Sequence, residues 1–423
     1  MEAIIVGAGI GGLTLALTLH EAGIHSRIYE SATEIRPIGA GINILPHASR
    51  ELGRLGLEKS LADLAVTTRE SVFFNRFGQR IYAEAAGRYA GYDWSQFSIH
   101  RGDLQRVLLD AFRERVGAGR LLTGLKCVGF EQSASGVRAR FVDAATGAAA
   151  IEAEGDLLVA CDGLHSIIRK QLHPQEGEPL YSGVNMWRGV TIWEPILSGA
   201  SMIRAGWLAT GKMVIYPIRD RVDAEGRQLV NWVAELATPR HSQRDWNRRG
   251  ELADFIGAYE DWHFDWLDVP AFIRAAETIL EFPMIDQDPL PWWSQGRVTL
   301  LGDAAHPMYP RGSNGAGQAI LDARSLADCL SANDDVAAAL KAYEGARLEA
   351  TANVVKANRS NPPDAILREV FERTGDRPFV HIDDVISARE LAALSDGYKR
   401  IAGYHRDTLQ AASMGPGEHK QRK

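Results

Sequence analysis

The sequence predicts an α/β (α+β) fold in which a parallel sheet with flanking helices carries an inserted, mostly antiparallel sheet and ends in C-terminal helices. Three features support this prediction. The first 30 residues follow a strand–turn–helix–strand order, the middle of the chain holds many strand-like runs, and the chain beyond Asn314 has a helical pattern. Because the strand-rich residues lie between the two α/β parts, we expect a second domain inserted into the first.

Each element follows from the local pattern of apolar residues. Residues 3–6 form an apolar strand, a helix is expected from about Leu13 to Ala22, and residues 26–29 form the next strand. The remaining predictions are helices over 47–65 and 102–119, strands near 71–75 and 80–83, strands with a hairpin within 121–160, strands over Val184–Ile192, Met213–Pro217 and Leu229–Glu235, a helical region over 248–277, a strand at Val298–Leu301, and helices after Asn314 with breaks at 361–363 and 376–378.

These elements group into domains. The first predicted domain is discontinuous and comprises residues 1–70, 98–180 and 281–360. The inserted domain comprises residues 71–97 and 181–280. A helical segment is expected over 361–410, and the polar residues 411–423 are expected to be disordered.

Composition and charge limit the classes of function. The 423 residues are 45% hydrophobic and carry a net charge of −7, which argues against nucleic acid or an anionic membrane as a partner. The three cysteines (Cys127, Cys161 and Cys329) lie far apart and match no metal or redox spacing. We therefore expect no metal site, no disulfide framework, no transmembrane helix and a cytoplasmic location.

The glycine-rich turn after the first strand fits the pattern G-x-G-x-x-G. Gly7 allows a tight turn, Gly9 lets the backbone approach a pyrophosphate, and Gly12 permits close packing of helix on strand. The N terminus of the helix offers N–H groups and partial positive charge to phosphates. Glu30 ends the second strand and suits hydrogen bonding to a ribose. The turn predicts a dinucleotide, NAD or FAD, bound by Gly7, Gly9, Ile10, Gly11, Gly12 and Glu30.

Two further motifs decide between these cofactors. An apolar strand at 157–160 leads into Asp162-Gly163, and another at 298–301 leads into Gly302-Asp303 and a glycine-rich loop. Asp303 can accept hydrogen bonds from a polyol such as a ribityl chain. The helix after Asn314 points its positive end at whatever lies in front of it, which suits the negative charge of a reduced flavin. The combination predicts FAD.

The three motifs, in this order and spacing, resemble those of the class A FAD-dependent aromatic hydroxylases, the p-hydroxybenzoate hydroxylase-like family. The resemblance covers roughly residues 1–350. The segments 98–105, 186–190 and 283–286 are similar to the 5-methylphenazine-1-carboxylate monooxygenase branch of this family.

The resemblance implies roles for particular residues toward FAD. The discontinuous domain would bind FAD and the inserted domain would bind substrate. Asp162 would contact both FAD and NAD(P)H, and Asp303 would hold the ribityl chain. The implied contacts are Arg36 with a phosphate, Arg101 and Gln105 with phosphate or adenosine, Val128 with adenine, and Pro307, Gly312, Asn314, Gly315 and Ala316 with the isoalloxazine.

Substrate contacts are expected from the middle sheet and from Pro307. Neighbouring residues on a strand point to opposite faces, so only one of Trp187 and Arg188 can line the site. We favour Trp187, because aromatic rings pack on one another, together with Met213 and Ile215. Three further candidates for a catalytic role are His306 as a proton relay, Tyr309 beside the flavin, and Arg311 as a partner for an anionic substrate.

The family resemblance implies a monooxygenase. NADH or NADPH would reduce the flavin, O2 would form a C4a-hydroperoxide, and its distal oxygen would attack an electron-rich aromatic or N-heteroaromatic ring, including carboxylated ones. The flavin carries this chemistry, so no conventional catalytic dyad is required. The chain has one nucleotide fingerprint, so NAD(P)H has no domain of its own. A related flavoprotein oxidase or dehydrogenase and a non-catalytic ligand-binding protein remain alternatives, and we expect a monomer or homodimer.

Overall fold

The computed structural model describes residues 1–36, 40–238, 248–360 and 362–411. Within these residues the strands are numbered in chain order. The strands are β1 (Glu2–Val6), β2 (His25–Tyr29), β3 (Gly41–Ile44), β4 (Val66–Thr67), β5 (Glu70–Phe74), β6 (Arg80–Ala85), β7 (Phe97–His100), β8 (Leu121–Leu122), β9 (Leu125–Gln132), β10 (Val137–Asp143), β11 (Ala149–Gly155), β12 (Leu157–Ala160), β13 (Leu180–Trp193), β14 (Ser201–Trp207), β15 (Gly211–Arg219), β16 (Gln228–Ala237), β17 (Arg248–Arg249), β18 (His263–Phe264), β19 (Leu267–Asp268), β20 (Ile279–Asp286) and β21 (Val298–Leu300).

The helices are α1 (Ile10–Glu21), α2 (Pro46–Arg54), α3 (Glu58–Ala62), α4 (Arg101–Phe112), α5 (Ile167–Leu172), α6 (Val269–Arg274), α7 (Gly315–Ala332), α8 (Val336–Ser360), α9 (Ala365–Thr374), α10 (Ala388–Ile401) and α11 (Arg406–Ala411). The helix predicted over 47–65 is two helices, because Gly56 between them takes φ +71°. No helix of the described residues combines the length and apolar character needed to cross a membrane.

A five-stranded sheet in the order β21-β12-β1-β2-β8 forms the first layer, and all its neighbouring strands are parallel. The residues of β12 and most of β1 are buried, as expected of parallel strands covered on both faces. Helix α1 connects β1 to β2 and packs against α7 and α4. The predicted strand–turn–helix–strand unit is therefore confirmed, although its helix begins at Ile10 rather than near Leu13.

A second, eight-stranded sheet has the order β17-β20-β13-β16-β15-β14-β5-β6. All its neighbouring strands are antiparallel except β14 and β5, so the prediction of a mostly antiparallel inserted sheet is confirmed. Its strands come from residues 70–85 and 180–286, close to the two segments predicted for the inserted domain. The domain boundaries themselves stay a prediction, and residues 412–423 of the predicted tail lie outside the described residues.

The prediction of a helical region over 248–277 is wrong for most of its length. Only α6 is an α-helix, and the chain before it forms short 3-10 turns and the two-stranded pair β18–β19. The reason is tertiary packing: Phe255, Tyr259, Trp262 and Phe264 turn their rings onto one face of the eight-stranded sheet and bury it. Aromatic residues at near-helical spacing imitated an amphipathic helix.

Candidate active site

The glycine-rich turn lies where the carboxyl end of β1 meets the N terminus of α1. Gly7 has φ +103°, and a Cβ atom there would lie 2.4 Å from the carbonyl oxygen of Cys161. A Cβ atom at Gly12 would lie 2.0 Å from the carbonyl oxygen of Gly7, whereas one at Gly9 would meet no protein atom within 4 Å. Gly7 and Gly12 are thus required by the fold, and Gly9 borders open space in front of the helix.

Glu30 and Gln105 both hydrogen-bond the backbone of this turn. The Glu30 carboxylate accepts from the Ala8 N–H at 2.7 Å and from the Ala32 N–H at 2.8 Å. The Gln105 amide donates to the Ala8 carbonyl at 2.9 Å. Arg101 begins α4 with an exposed side chain. The structure therefore brings Glu30 and Gln105 together at the glycine-rich turn, and Arg101 lies one helical turn before Gln105 on α4.

The Asp162-Gly163 turn is connected to the third motif by a buried arginine. Ser166 caps α5 by accepting from the Arg169 N–H at 3.0 Å. The guanidinium of Arg169 donates to the carbonyls of Ala304 and Ala305, each at 2.9 Å, and pairs with Glu176. Sequence analysis missed this role of Arg169, because its partners lie far along the chain.

Asp162 has a buried oxygen without a protein partner. Its Oδ2 accepts from the Ile167 N–H at 3.0 Å, while its Oδ1 is buried and makes no hydrogen bond within the described residues. Burial raises the pKa of Asp162, although hydrogen bonds from Ser166 and the backbone oppose the shift. A polar atom left unpaired in this way is a natural contact for a ligand hydroxyl or N–H.

Asp303 follows β21 in a short 3-10 turn, and its side chain is exposed. The surrounding protein raises the pKa of Asp303, while the positive charges of His306 and Arg101 lower it. Arg101 and Asp303 are thus close enough for their charges to interact, although they lie far apart in the sequence, and we call the open space that Gly9 and Asp303 border the groove.

His306 occupies the core rather than the groove. It is 3% exposed, and its Nε2 lies 2.6 Å from Oδ2 of Asp322, a fully buried carboxylate. Arg347 donates to the other oxygen of Asp322 at 2.7 Å. These contacts support a structural role for His306 and give the proposed proton relay no open path.

The glycine-rich loop before α7 is held by buried polar side chains. Gly312 has φ +81° and Ser313 has φ +56°. Asn314 ends the loop, donating to the Gly312 carbonyl at 3.1 Å and to the Tyr398 hydroxyl at 3.0 Å. Its Oδ1 lies 3.1 Å from Nε2 of His47, a buried histidine whose pKa is lowered to about 4 by desolvation. Sequence analysis missed His47 and Tyr398.

The loop faces one side of the eight-stranded sheet. Gly41, at the start of β3, donates its N–H to the Asn231 side chain at 2.7 Å, and a Cβ atom there would lie 2.6 Å from the Tyr216 ring. Tyr309 packs on the same side against Met186 and Met284. This side of the sheet, which we call the cofactor face, thus adjoins the residues predicted to surround the isoalloxazine.

The three predicted substrate residues of the sheet lie on the other face, and this is a correction. Trp187 stacks on Phe255 with ring centroids 5.0 Å apart, and Met213 and Ile215 are fully buried in the same apolar cluster. Because that cluster is sealed by the residues around Phe255, Tyr259 and Trp262, these side chains do not reach the loop before α7. Arg188, the alternative at this point of β13, points to the cofactor face.

The other predicted contacts vary in exposure. Arg36 is exposed and pairs with Glu34, and Val128 is 44% exposed on β9. Pro307 is buried, Tyr309 is 7% exposed, and Arg311 is half-buried with its guanidinium over the Tyr309 ring at 5.8 Å. The roles of these residues toward cofactor or substrate stay predictions.

The residues along the groove fit FAD. A dinucleotide would find open space at Gly9, the N terminus of α1, the acid Glu30, the unpartnered Asp162 Oδ1, the open carboxylate of Asp303 and the N terminus of α7. Phosphates suit helix N termini, and carboxylates suit sugar and ribityl hydroxyls. These positions thus offer partners to the phosphates, the ribose and the ribityl chain of a flavin dinucleotide.

Comparison with known proteins agrees with this geometry. The family described as "FAD binding domain" matches residues 1–240 and 284–358. The phenazine 1,6-dicarboxylic acid hydroxylase of Lysobacter antibioticus is 42% identical over 95% of this chain and 97% of its own length. A 3-amino-4-hydroxybenzoate 2-monooxygenase of Streptomyces platensis is 33% identical over 84% and 86% of the two chains. The crystal structure of Klebsiella pneumoniae HpxO, with FAD and uric acid, shares the fold with a TM-score of 0.75, 24% identity and 97% coverage of both chains.

Family and fold together decide the class of enzyme. FAD is the cofactor, and NAD(P)H is the co-substrate typical of these hydroxylases. The chain belongs to the FAD-binding family of flavoprotein aromatic hydroxylases, and it is an FAD-dependent aromatic monooxygenase.

Proposed function

We propose that this enzyme hydroxylates a carboxylated phenazine, a flat N-heteroaromatic ring system, between the cofactor face of the sheet and the loop before α7. One observation carries the proposal: a cavity at this place is lined by Arg204 and by apolar side chains of the sheet, and it is bordered by Gly312 of the loop before α7. The hydroxylase from Lysobacter antibioticus, which is named for a phenazine dicarboxylic acid, supports this choice of ring.

The walls of this cavity suit an aromatic acid. Leu45 and Pro46 line it beside the flavin loop, Phe73 and Met202 line it from the sheet, and Tyr404 lines it from the C-terminal segment. These side chains offer apolar surface to a flat ring and exclude water from it.

Arg204 is the cation that we assign to a substrate carboxylate. It lies on the cofactor face of β14, lines the cavity and is 7% exposed. It donates to Ser71 at 2.6 Å, lies 3.3 Å from Asp364, and has its guanidinium over the Phe73 ring at 5.2 Å. These contacts fix the planar group, so it would recognise a carboxylate without losing much side-chain freedom.

The cofactor would lie along the groove described above. When bound, FAD supplies the redox and oxygen chemistry, and the protein supplies binding, orientation and electrostatics. Asp162, Asp303 and the two helix N termini would hold it. Within the described residues the parallel sheet that carries the glycine-rich turn is the only βαβ sheet, so NAD(P)H would bind transiently.

The proposal also covers the location of the protein and its binding partner. The three cysteines are unpaired, which favours a reducing cytoplasm as the location. The relatives' aromatic substrates favour a small molecule as the binding partner. The protein would act as a monomer or homodimer.

The test uses the purified, FAD-loaded protein, which should be yellow. With phenazine-1,6-dicarboxylate we expect faster NADH or NADPH oxidation and one atom of 18O from 18O2 in each molecule of product. Unsubstituted phenazine is the control and should give little stimulation, because it offers no carboxylate to Arg204. Oxidation of NAD(P)H that yields only H2O2 with every carboxylated phenazine would overturn the proposed substrate.

A further inference from the structure

A straight row of side chains crosses the cofactor face of the inserted sheet. The strand register pairs Arg188 with Val233, Val233 with Val214, and Val214 with Arg204. Directly opposed residues on neighbouring strands point to the same face. Two valines therefore form an apolar strip with an arginine at each end.

The spacing of this row follows from sheet geometry. Neighbouring strands lie about 4.8 Å apart, so the Cα atoms of Arg188 and Arg204 are roughly 14 Å apart, three strand spacings. The guanidinium of Arg204 extends toward Ser71 and Phe73 on β5, and that of Arg188 lies over Phe282 on β20, so the two charges flank the valines from the outer ends of the row. An interval of this length suits a ring system of two or three fused rings with an acidic group at each end.

This face is partly open even though it lies in inner strands, although Val233 in the middle of the row is buried. Arg188 and Val190 on β13, and Val214 on β15, are each half-buried. The opposite face at the same level is closed, with Trp187, Met213 and Ile215 no more than 3% exposed. The openness is thus confined to the side that adjoins the flavin loop.

The two arginines differ in how their charge is balanced. Arg204 belongs to a buried group of two cations and two anions, in which Lys212 lies 2.8 Å from Glu235 and 2.6 Å from Asp364. Among the residues that the structure describes, no carboxylate pairs with Arg188. Its Nε is buried without a hydrogen-bond partner, and its guanidinium lies over the Phe282 ring at 5.7 Å.

Both arginines influence the same side chain, Tyr216. Burial raises the pKa of Tyr216 to about 12, and the positive charges of Arg188 and Arg204 both oppose that shift. Tyr216 lies on the cofactor face of β15, two residues beyond Val214. Partial burial of a cation with an unpaired N–H costs free energy unless an anion pairs with it. The missing partner of Arg188 is therefore an anion on the cofactor face.

We propose that Arg188 is a second anion-binding position, so that the site selects a flat polycyclic aromatic dianion with one carboxylate at Arg188 and the other at Arg204. This inference rests on the proposed function and deepens it. The proposed function requires only a carboxylated phenazine, whereas the row of residues requires acidic groups at both ends of the ring system.

The test measures binding to the FAD-loaded enzyme by the change in flavin absorbance on titration. The three ligands are phenazine-1,6-dicarboxylate, phenazine-1-carboxylate and unsubstituted phenazine. For Arg188→Met we expect the Kd of the dicarboxylate to rise roughly 10- to 100-fold, as for a lost charge-assisted hydrogen bond. The Kd values of the monocarboxylate and of phenazine should change less than about twofold. Arg188→Lys should recover part of the affinity for the dicarboxylate.

The matched control is Arg69→Met. Arg69 also lies over an aromatic ring, that of Tyr89 at 5.1 Å, but it precedes β5 and is exposed at the end of the sheet. Unchanged dicarboxylate affinity in Arg188→Met, or an equal loss for all three ligands, would overturn the inference while leaving the proposed function standing. Failure of the unmutated enzyme to bind either carboxylated phenazine would overturn both.

Discussion

Asp322 connects three parts of the molecule through one buried carboxylate. It accepts hydrogen bonds from the Gly302 N–H at 3.1 Å, from His306 at 2.6 Å and from Arg347 at 2.7 Å. Burial alone would raise its pKa, but the charges and hydrogen bonds of His306 and Arg347 outweigh burial and lower it to about 2. The turn that carries Asp303 is therefore held in place by buried hydrogen bonds on its inner side.

We predict that Asp322→Asn lowers the free energy of unfolding by about 3–5 kcal/mol, because it leaves the largely buried guanidinium of Arg347 without its anion. Denaturant titration at pH 7 measures the loss. Asp328→Asn on the same helix is the control and should cost little, since the Asp328 side chain is 66% exposed. Equal stability of the two variants would contradict the structural role of Asp322.

The same carboxylate predicts a pH dependence. The pKa of Asp322 in the folded protein lies below its usual value of 3.8, so its contribution is present above about pH 4 and is lost as the pH falls toward 2. The contribution is about 2 kcal/mol. Unfolding of the unmutated protein measured from pH 5 to pH 2.5 should lose more stability than unfolding of Asp322→Asn over the same range. Parallel curves would contradict the shift.

Residue-scale roles differed in how far they could be predicted. The spacing of Gly7, Gly9 and Gly12 in the sequence already indicates a phosphate turn, because the motif is local. The role of His306 was open until its partner was known, since the sequence does not show which carboxylate a buried histidine meets. Arg169 likewise depends on partners more than 100 residues away, Ala304 and Ala305.

At the scale of single elements, two glycines of the same turn differ in role: Gly12 matters for folding and Gly9 for cofactor binding. Gly12 lies against backbone, whereas Gly9 borders open space and has φ −71°, which alanine also adopts. Two substitutions of equal size in one turn therefore probe different properties of the protein.

We predict that Gly9→Ala leaves the unfolding free energy of the apoprotein within about 0.5 kcal/mol but weakens FAD binding, because the added methyl fills the space in front of α1. Gly12→Ala should destabilise the apoprotein by about 1–3 kcal/mol, because its methyl overlaps the Gly7 carbonyl. Thermal unfolding without FAD and flavin-fluorescence titration measure the two effects. If Gly9→Ala bound FAD as tightly as the unmutated protein, this placement of the pyrophosphate would be wrong.

Strand patterns predicted the inserted sheet but not which of its faces meets the cofactor. Alternation along β13 separates Trp187 from Arg188, and it does so equally well whichever side the flavin occupies. The choice depends on the residues around Phe255 and Tyr259, which cover one face. The preference for Trp187 rested on aromatic packing, and its ring does stack on Phe255, but on the covered face of the sheet.

At the scale of the whole molecule, the C-terminal segment closes the loop before α7 from outside. Tyr398 on α10 accepts a hydrogen bond from Asn314 at 3.0 Å and donates one to Asn358 on α8 at 2.7 Å. Gln318 on α7 donates to the Ala402 carbonyl at 3.1 Å. Residues from four parts of the chain thus meet behind the loop, an arrangement that no local sequence pattern indicates.

We predict that Tyr398→Phe costs about 1–3 kcal/mol of stability, because it leaves two buried asparagine groups unsatisfied, and that it shifts the visible absorption of bound flavin by loosening the loop. Tyr89→Phe is the control, since Tyr89 is 53% exposed. Denaturant titration and flavin absorbance measure both effects. A stability loss with an unaltered flavin spectrum would limit Tyr398 to folding.

The row from Arg188 to Arg204 has a consequence for how this fold could diverge. Hydrogen-bonded strands fix the distance between opposed residues in steps of about 4.8 Å. A basic residue at position 233 instead of 188 would shorten the distance between the two charges by one strand spacing. A shift of one residue along the strand would turn the charge to the opposite face of the sheet. Related enzymes would therefore change the length of the ring system they accept in discrete jumps, strand by strand.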